Sequence, residues 1–425
     1  MNCGQVAKPL GRCGKEMLNL KELKKAFNGK KVLMTGHTGF KGSYMCVLLK
    51  YLGAEVYGYS LKPEKGGLYS LLVEGVKKYY SSLTNDMVKT SAKNSTFNEK
   101  TSLVCDEIFA DIRDEKKLTE YMKKVKPDYV IHMAAQPLVL LGYEKPQYTY
   151  DVNVMGTVNL MEAIRKTYCD EVGKANSKEN KNHIQKNNIK KVVSILNVTT
   201  DKVYENNDLS DYAFKENDKL CGRDPYANSK SCSELVTYAY EKSYFSDKSI
   251  FRISTARAGN VIGGGDLNEN RIIPDCYRAI KSKSDMLIRN PLSIRPYQYV
   301  LEPLIIYLNI LAYQSKNKSY EGHYNIGPDK KSCLDTKTLV EKFYGAVKEY
   351  DNVYLPKVIC NKVKQNKTKH EAAFLRLDNN LIKKTIGYKE IFTMNRTMYH
   401  TAKVYIDMLN KENIYTSILN IIKTF

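Results

Sequence analysis

Short apolar runs that do not alternate with polar residues recur along this chain, separated by segments with a helical period, and few folds accommodate that pattern. The runs are KVLMTG (31–36), AEVYGYS (54–60), YVIHMAA (129–135), KVVSILNVTT (191–200) and IFRISTARAG (250–259). Between them, SYMCVLLKYLG (43–53), LTEYMKKV (118–125), NVMGTVNLMEAIRKTY (153–168) and ANSKSCSELVTYAYEKSY (227–244) place apolar residues at i, i+3, i+4 and i+7. A run without alternation suits a strand covered on both faces, and helices between such strands are the usual parallel connection. The pattern predicts an α/β fold with a doubly wound parallel sheet.

A chain of 425 residues exceeds what one core usually supports, so a second, smaller body is expected. The alternation loosens after about residue 260. Residues 27–259 are therefore read as the main domain and 260–425 as mainly a substrate-side lobe, with some segments returning to the main domain. Residues 1–26 are an N-terminal extension. Two polar, Lys/Asn/Ser-rich stretches at about 81–101 and 170–189 read as surface insertions.

The 67 basic and 46 acidic residues leave a net charge of +21. The lysines are dispersed and lack the aromatic interleaving of a base-stacking platform, so nucleic acid is not expected as a partner. A positive field of this kind does favour an anionic small molecule. Ten scattered cysteines form no C-x-x-C pair and read as reduced thiols, with no metal site expected. No apolar run approaches the roughly 20 residues of a membrane span, and the first residues carry no signal-peptide core. A cytoplasmic location without membrane association is expected.

The first run ends in TGHTGFKG, where Gly36, Gly39 and Gly42 stand between a strand and a helix. Glycines there let backbone N–H groups approach a pyrophosphate at the positive end of the helix. A dinucleotide fold that selects NAD usually has a carboxylate at the end of its second strand. Here that place reads Gly58-Tyr59-Ser60-Leu61-Lys62, which leaves NAD and NADP both open. Asp111 fits an acceptor for the adenine amino group and fits a helix N-cap equally well.

Tyr226 and Lys230 are four apart, which puts them one turn apart on a helix face. An ammonium beside a phenol favours the phenolate and so a general base. Thr200-Asp201-Lys202 follows a strand, at the end that faces the ligand crevice in a parallel sheet. The triplet reads either as a hydroxyl, a carboxylate and an amine aimed into one pocket or as a turn with a solvated salt bridge.

With these motifs in place, the strings GKKVLMTGHTGFKGSY, HMAAQPLV, YDVNVMGTVNLMEA, NVTTDKVYEN, DPYANSKSCSELV, ARAGNVIGGGD and IRPYQYVLEP resemble the extended short-chain dehydrogenase/reductase family. They run in order from Phe27 to Pro303, and Asp201-Lys202 is similar to the branch that dehydrates CDP-glucose. The resemblance implies a Rossmann-type sheet and an NAD-dependent lyase that converts CDP-glucose to CDP-4-keto-6-deoxyglucose. C4 is oxidised, water is eliminated across C5 and C6, and hydride returns to C6.

In that scheme Tyr226 is the base at the 4-hydroxyl, Thr200 bonds the same hydroxyl, and Lys230 holds the ribose and depresses the Tyr226 pKa. Asp201 is the acid at the 6-hydroxyl and Lys202 the base at C5, which requires a depressed lysine pKa. The cofactor is implied at Gly36, Thr38, Gly39, Phe40 and Gly42, at Ser60, Asp111, Ile112, Ala134 and Ala135, and at Tyr226 and Lys230. Gln136, Asn260, Arg271, Arg295 and Tyr299 are implied at the substrate; ordinary pairing explains Asn260 and the two arginines equally well. Leu140, Gly142, Tyr297 and Tyr299 stand where the family has Arg, Ser, Trp and His. A homo-oligomer built on the helices at 153–168 and 227–244 is also implied.

Overall fold

The computed structural model describes residues 16–87, 101–176, 192–207, 211–247, 249–350, 353–360 and 375–425. Cys3 and Cys13, and the parts of the two polar stretches at 88–100 and 177–189, lie outside them. The strands are β1 (Lys31–Thr35), β2 (Glu55–Ser60), β3 (Asp106–Phe109), β4 (Tyr129–His132), β5 (Val193–Thr200), β6 (Phe251–Ala258), β7 (Asn260–Ile262), β8 (Met286–Ile288), β9 (Ile294–Tyr299), β10 (His323–Ile326), β11 (Cys333–Asp335) and β12 (Val358–Cys360).

Seven of them form one sheet in the order β10-β6-β5-β4-β1-β2-β3, with every pair parallel. The order reverses between β1 and β4, and a crevice for ligands opens at such a switch point. All five expected runs are strands of this sheet. β1 and β4 stop one to three residues before their runs end, because Gly36 and Met133–Ala135 already belong to crevice loops. The edge strands β3 and β10 are four residues each and give a weaker pattern than a strand buried on both faces.

Successive residues of a central strand serve opposite faces. Leu33, Val130 and Ile195 join one core with the helices Glu115–Val125 and Gly156–Asn176. Met34, Ile131 and Leu196 join the other with the helices Leu20–Phe27, Phe40–Tyr51, Leu301–Lys316 and Ile414–Lys423. Leu301–Lys316 is buried along nearly its whole length, which explains why the most apolar stretch of the sequence is a core helix. Among the described residues no helix is long and apolar enough to cross a membrane.

The N-terminal segment builds into this core. Leu23 and Phe27 are buried, Leu18 N donates to Asn309 Oδ1 (2.7 Å), and Tyr313 Oη donates to Glu16 O (2.6 Å). Beyond β6, β7, β9 and β11 make a small mixed sheet, and β8 pairs with β12. A third core containing Ile273, Tyr277, Phe343 and Tyr405 underlies this part of the chain. β10 then returns to the main sheet beside β6.

Candidate active site

The glycine loop is a place where backbone approaches backbone. Gly36 takes φ +77°, and a Cβ there would stand 2.6 Å from Ala134 N; one on Gly42 would stand 2.2 Å from Gly36 O. Only glycine fits at either position. Gly39 begins the helix Phe40–Tyr51 and supplies no side-chain cap, so the first-turn N–H groups remain open to a ligand's oxygens. Phe40 lies against Gly263 on the opposite loop. Thr38 Oγ1 meets Ser60 Oγ at 2.8 Å and donates to Leu61 O, which ties the loop to the end of β2.

No carboxylate stands at the end of β2. The nearby Glu107 on β3 is committed to His37 Nε2 (2.8 Å) and Tyr69 Oη (2.7 Å). Asp111 binds Arg113 through both oxygens, and those bonds hold its carboxyl below the usual range. It is not the helix cap, because Asp114 accepts from Lys117 N and does that work. Ile112 is buried beneath Gly156, and Ala134 and Ala135 line the end of β4 half-buried.

The second half of the site is made of side chains from distant segments. Thr200 closes β5, and its Oγ1 donates to Asp201 Oδ1 (2.9 Å), which also receives Lys202 Nζ (3.4 Å). Asp201 is 1% exposed, and its Oδ2 has no partner among the described residues. A Cβ on Gly259 would lie 3.2 Å from that oxygen, so glycine keeps the space beside it open. The helix Pro225–Ser243, capped by Asp224, brings in Tyr226 and Lys230, both buried.

Burial pushes the Tyr226 phenol up; Lys202, a hydrogen bond with Thr200, and Arg271 pull it back. Lys202 and Arg271 are thus depressing cations here, beside the Lys230 that the sequence pointed to. Lys230 reaches down to Val198 O (3.2 Å), and burial lowers its ammonium to about 8.

One residue of the site went unread. Lys41 sits in the first turn of the helix that follows the glycine loop, and burial together with Arg271 lowers it to about 8. Asp201, Lys230 and Lys202 also act on it. A lysine at the positive end of a helix opposes the dipole, and that misplacement was the available signal.

The expected substrate residues divide. Arg271 acts on both Tyr226 and Lys41 and is held by Asp266 (2.7 Å). Asn260 is half-buried on β7, opposite Tyr297 of β9. Arg295 is buried on β9 and donates to Ile294 O; its neighbour Pro296 lies against Gly259. Gln136 spends its amide on the protein, donating to Thr149 Oγ1 of the helix Pro146–Tyr150 and accepting from Leu138 N in its own loop. Tyr299 is a core side chain whose ring packs among Tyr44, Phe392 and His400. Gly142, the family's Ser position, rests against the backbone of Tyr226, and Leu140 is exposed.

A family model described as the NAD dependent epimerase/dehydratase family matches residues 32–327. The chain is 35% identical over 387 residues to a CDP-glucose 4,6-dehydratase of Salmonella typhimurium, a match covering 89% of this chain and 91% of that one. It is 27% identical over 215 residues to a GDP-mannose 4,6-dehydratase of Vibrio cholerae, covering 51% of this chain and 46% of that one. Its fold is similar to the dTDP-glucose 4,6-dehydratase of Bacillus anthracis, solved in complex with NAD. That match has a TM-score of 0.61 at 16% identity and covers 89% of this chain and 97% of that one.

Proposed function

The chain belongs to the NAD dependent epimerase/dehydratase family, and from that premise we propose that it dehydrates CDP-glucose to CDP-4-keto-6-deoxyglucose. One observation carries the choice of dehydration over epimerisation. Exchange at C4 needs a proton acceptor at one hydroxyl, whereas loss of water across C5 and C6 needs a second proton donor. Asp201, buried beside Thr200 with Oδ2 unspent, suits that second role.

The loop fits a nicotinamide dinucleotide. The clearances at Gly36 and Gly42 and the uncapped helix start suit its pyrophosphate, with Thr38, Gly39, Phe40 and Ser60 beside it and Asp111, Ile112, Ala134 and Ala135 farther along the crevice. When bound, NAD supplies an acceptor for the C4 hydrogen and returns that hydrogen at C6, so none is consumed.

The chain's own residues manage protons and charge. Tyr226 accepts the 4-hydroxyl proton, with Thr200 bonded to the same oxygen, and Lys202 and Arg271 stabilise the phenolate. Lys202, 3.4 Å from Asp201 Oδ1, passes its ammonium proton to that carboxylate, which gives it to the departing 6-hydroxyl, and the amine left behind takes the C5 proton. Lys230 holds the ribose. Lys41 and Arg271 supply positive charge for the substrate diphosphate, and Asn260 on β7 and Arg295 on β9 are further candidates for it. Self-association through the helices Gly156–Asn176 and Pro225–Ser243 is part of the proposal, supported by Leu235 and Tyr238, exposed one turn apart on the second helix.

The test is incubation with CDP-, dTDP- and GDP-sugars, scoring 4-keto product by its absorbance in alkali. CDP-glucose should give the signal, and substrate deuterated at C4 should carry its label to C6 of the same molecule. Product epimerised at C4, or label at C6 drawn from solvent, overturns the reading.

A further inference from the structure

The helix Pro225–Ser243 carries a third ionisable residue on the face that bears Tyr226 and Lys230. Glu234 lies one turn beyond Lys230, as Lys230 lies one turn beyond Tyr226, and it is 1% exposed. A carboxylate taken that far from water stays charged only when hydrogen bonds and opposite charge compensate it. Glu234 has both. Its Oε1 accepts from Thr199 Oγ1 (2.5 Å), and its Oε2 accepts from Thr255 Oγ1 (2.7 Å) and Arg257 Nη2 (3.0 Å), with the ring of His323 on β10 at 3.6 Å from Oε2 and 2.9 Å from Thr255 Oγ1.

Arg257 is held in turn. Its Nη1 donates to Tyr204 Oη and Glu216 O (2.8 Å each), and Tyr204 Oη donates to Asn325 Oδ1 (2.6 Å). Guanidinium and hydroxyl donors hold the Glu234 carboxyl below the usual range despite its burial.

A buried Arg–Glu pair contributes little stability that well-packed apolar side chains would not, so a pair this enclosed beside the site invites another role. Its position supplies one. Lys230 donates to Val198 O, and Glu234 accepts from the side chain of Thr199, the next residue of β5; the two side chains straddle one stretch of that strand. Two titratable groups on other elements feel Lys230, His132 on β4 and Lys41 behind the glycine loop. His132 is neutral, held down to about 3 by burial and by Lys230 itself, and Lys41 is a cation. Tyr226 on the same helix is a phenol until it loses its proton. The negative charge acting on Lys230 is Glu234's.

We propose that Glu234 is a positioning residue for Lys230: clamped by Thr199, Thr255 and Arg257, it keeps the neighbouring ammonium charged where that group is buried against β5 and bonded to Val198 O. This rests on the reading of Tyr226 and Lys230 as parts of a dehydratase site. Burial alone draws the ammonium toward its neutral form, and Glu234 opposes that. Glu234→Gln keeps the size and removes the charge.

The test is competitive acylation of cofactor-free enzyme across the neutral to alkaline range, with the Lys230 peptide followed by mass spectrometry, since only the neutral amine reacts. Glu234→Gln should lower the labelling midpoint of Lys230 by about one pH unit or more. The alkaline limb of kcat/KM should move the same way. Glu234→Asp, which disturbs packing but keeps the charge, should stay within about 0.3 unit of wild type.

An unmoved midpoint in Glu234→Gln overturns the proposal, as does a Glu234→Asp midpoint displaced as far as that of Glu234→Gln. If Glu234→Gln does not fold, Glu234→Asp decides alone, and a displacement of about one unit overturns it. The two readings fail separately. A midpoint that moves in an enzyme yielding no 4-keto sugar removes the dehydratase and leaves the positioning role. Normal dehydration with an unmoved midpoint does the reverse.

Discussion

The two walls of the site are built by opposite means. The glycine-loop wall is mostly backbone: Gly36, Gly39 and Gly42 clear space, and the start of the helix Phe40–Tyr51 offers its N–H groups. The facing wall is almost all side chain, with Thr200, Asp201, Lys202, Tyr226 and Lys230 brought together from two segments and, except for the half-buried Lys202, buried at a cost their mutual contacts must offset. Backbone can bind without reacting, whereas chemistry needs groups whose protons move. A change in the first wall should therefore appear as lost cofactor, and a change in the second as lost turnover with cofactor retained.

The sharpest separation should come from Tyr226→Phe, which removes the proton acceptor and keeps the ring. Turnover should fall by about 10³-fold while cofactor titration is unchanged; near-normal turnover would break the division. Asp201→Asn should cost about 10²-fold and stall after the first step, leaving a bound 4-keto, 6-hydroxy sugar visible on quenching.

On the other wall, Gly36→Ala forces a side chain into a left-handed conformation, at a strain of roughly 1–3 kcal/mol, and against Ala134 N. Cofactor affinity should fall by at least about tenfold, since 1.4 kcal/mol is a factor of ten in binding. Turnover at saturating cofactor should be much less affected, and calorimetric titration checks the difference.

A milder effect follows from pH. Lys41 and Lys230, drawn down to about 8, carry their charge below that pH and lose it above. KM for the anionic substrate should rise above about pH 8, and Lys41→Arg, whose charge persists, should shift the rise to higher pH. The smallest effect belongs to Tyr299→Phe. As a core ring, it should leave kcat and KM within about twofold, well inside a 1 kcal/mol change.

Legibility in the sequence followed the same division. The glycine loop was readable because a strand, a turn and a helix are local, and their residues stand within eight positions. The triplet and the Tyr226–Lys230 pair were readable as separate motifs, but their mutual geometry was not. That Lys202 acts on Tyr226 depends on how the turn at Asp201–Val203 lies against a helix more than twenty residues later. The burial of Tyr299 among other rings was not readable, because a resemblance marks a position along the chain and says nothing of what the side chain packs against. Glu234 carried a signal at i+8 from Tyr226, but its clamp comes from β5 and β6.

By itself, the sequence determined the five inner strands of the sheet, their parallel sense, the glycine loop and the motifs of the triplet and the Tyr226–Lys230 pair. Periodicity, glycine placement and residue chemistry are properties of short stretches. Only the tertiary structure decided which charges meet, which carboxylate oxygen stays unspent, and which aromatic rings are core. Those outcomes depend on burial and on distances between segments far apart in the chain, and the same side chain changes its protonation with the groups that enclose it.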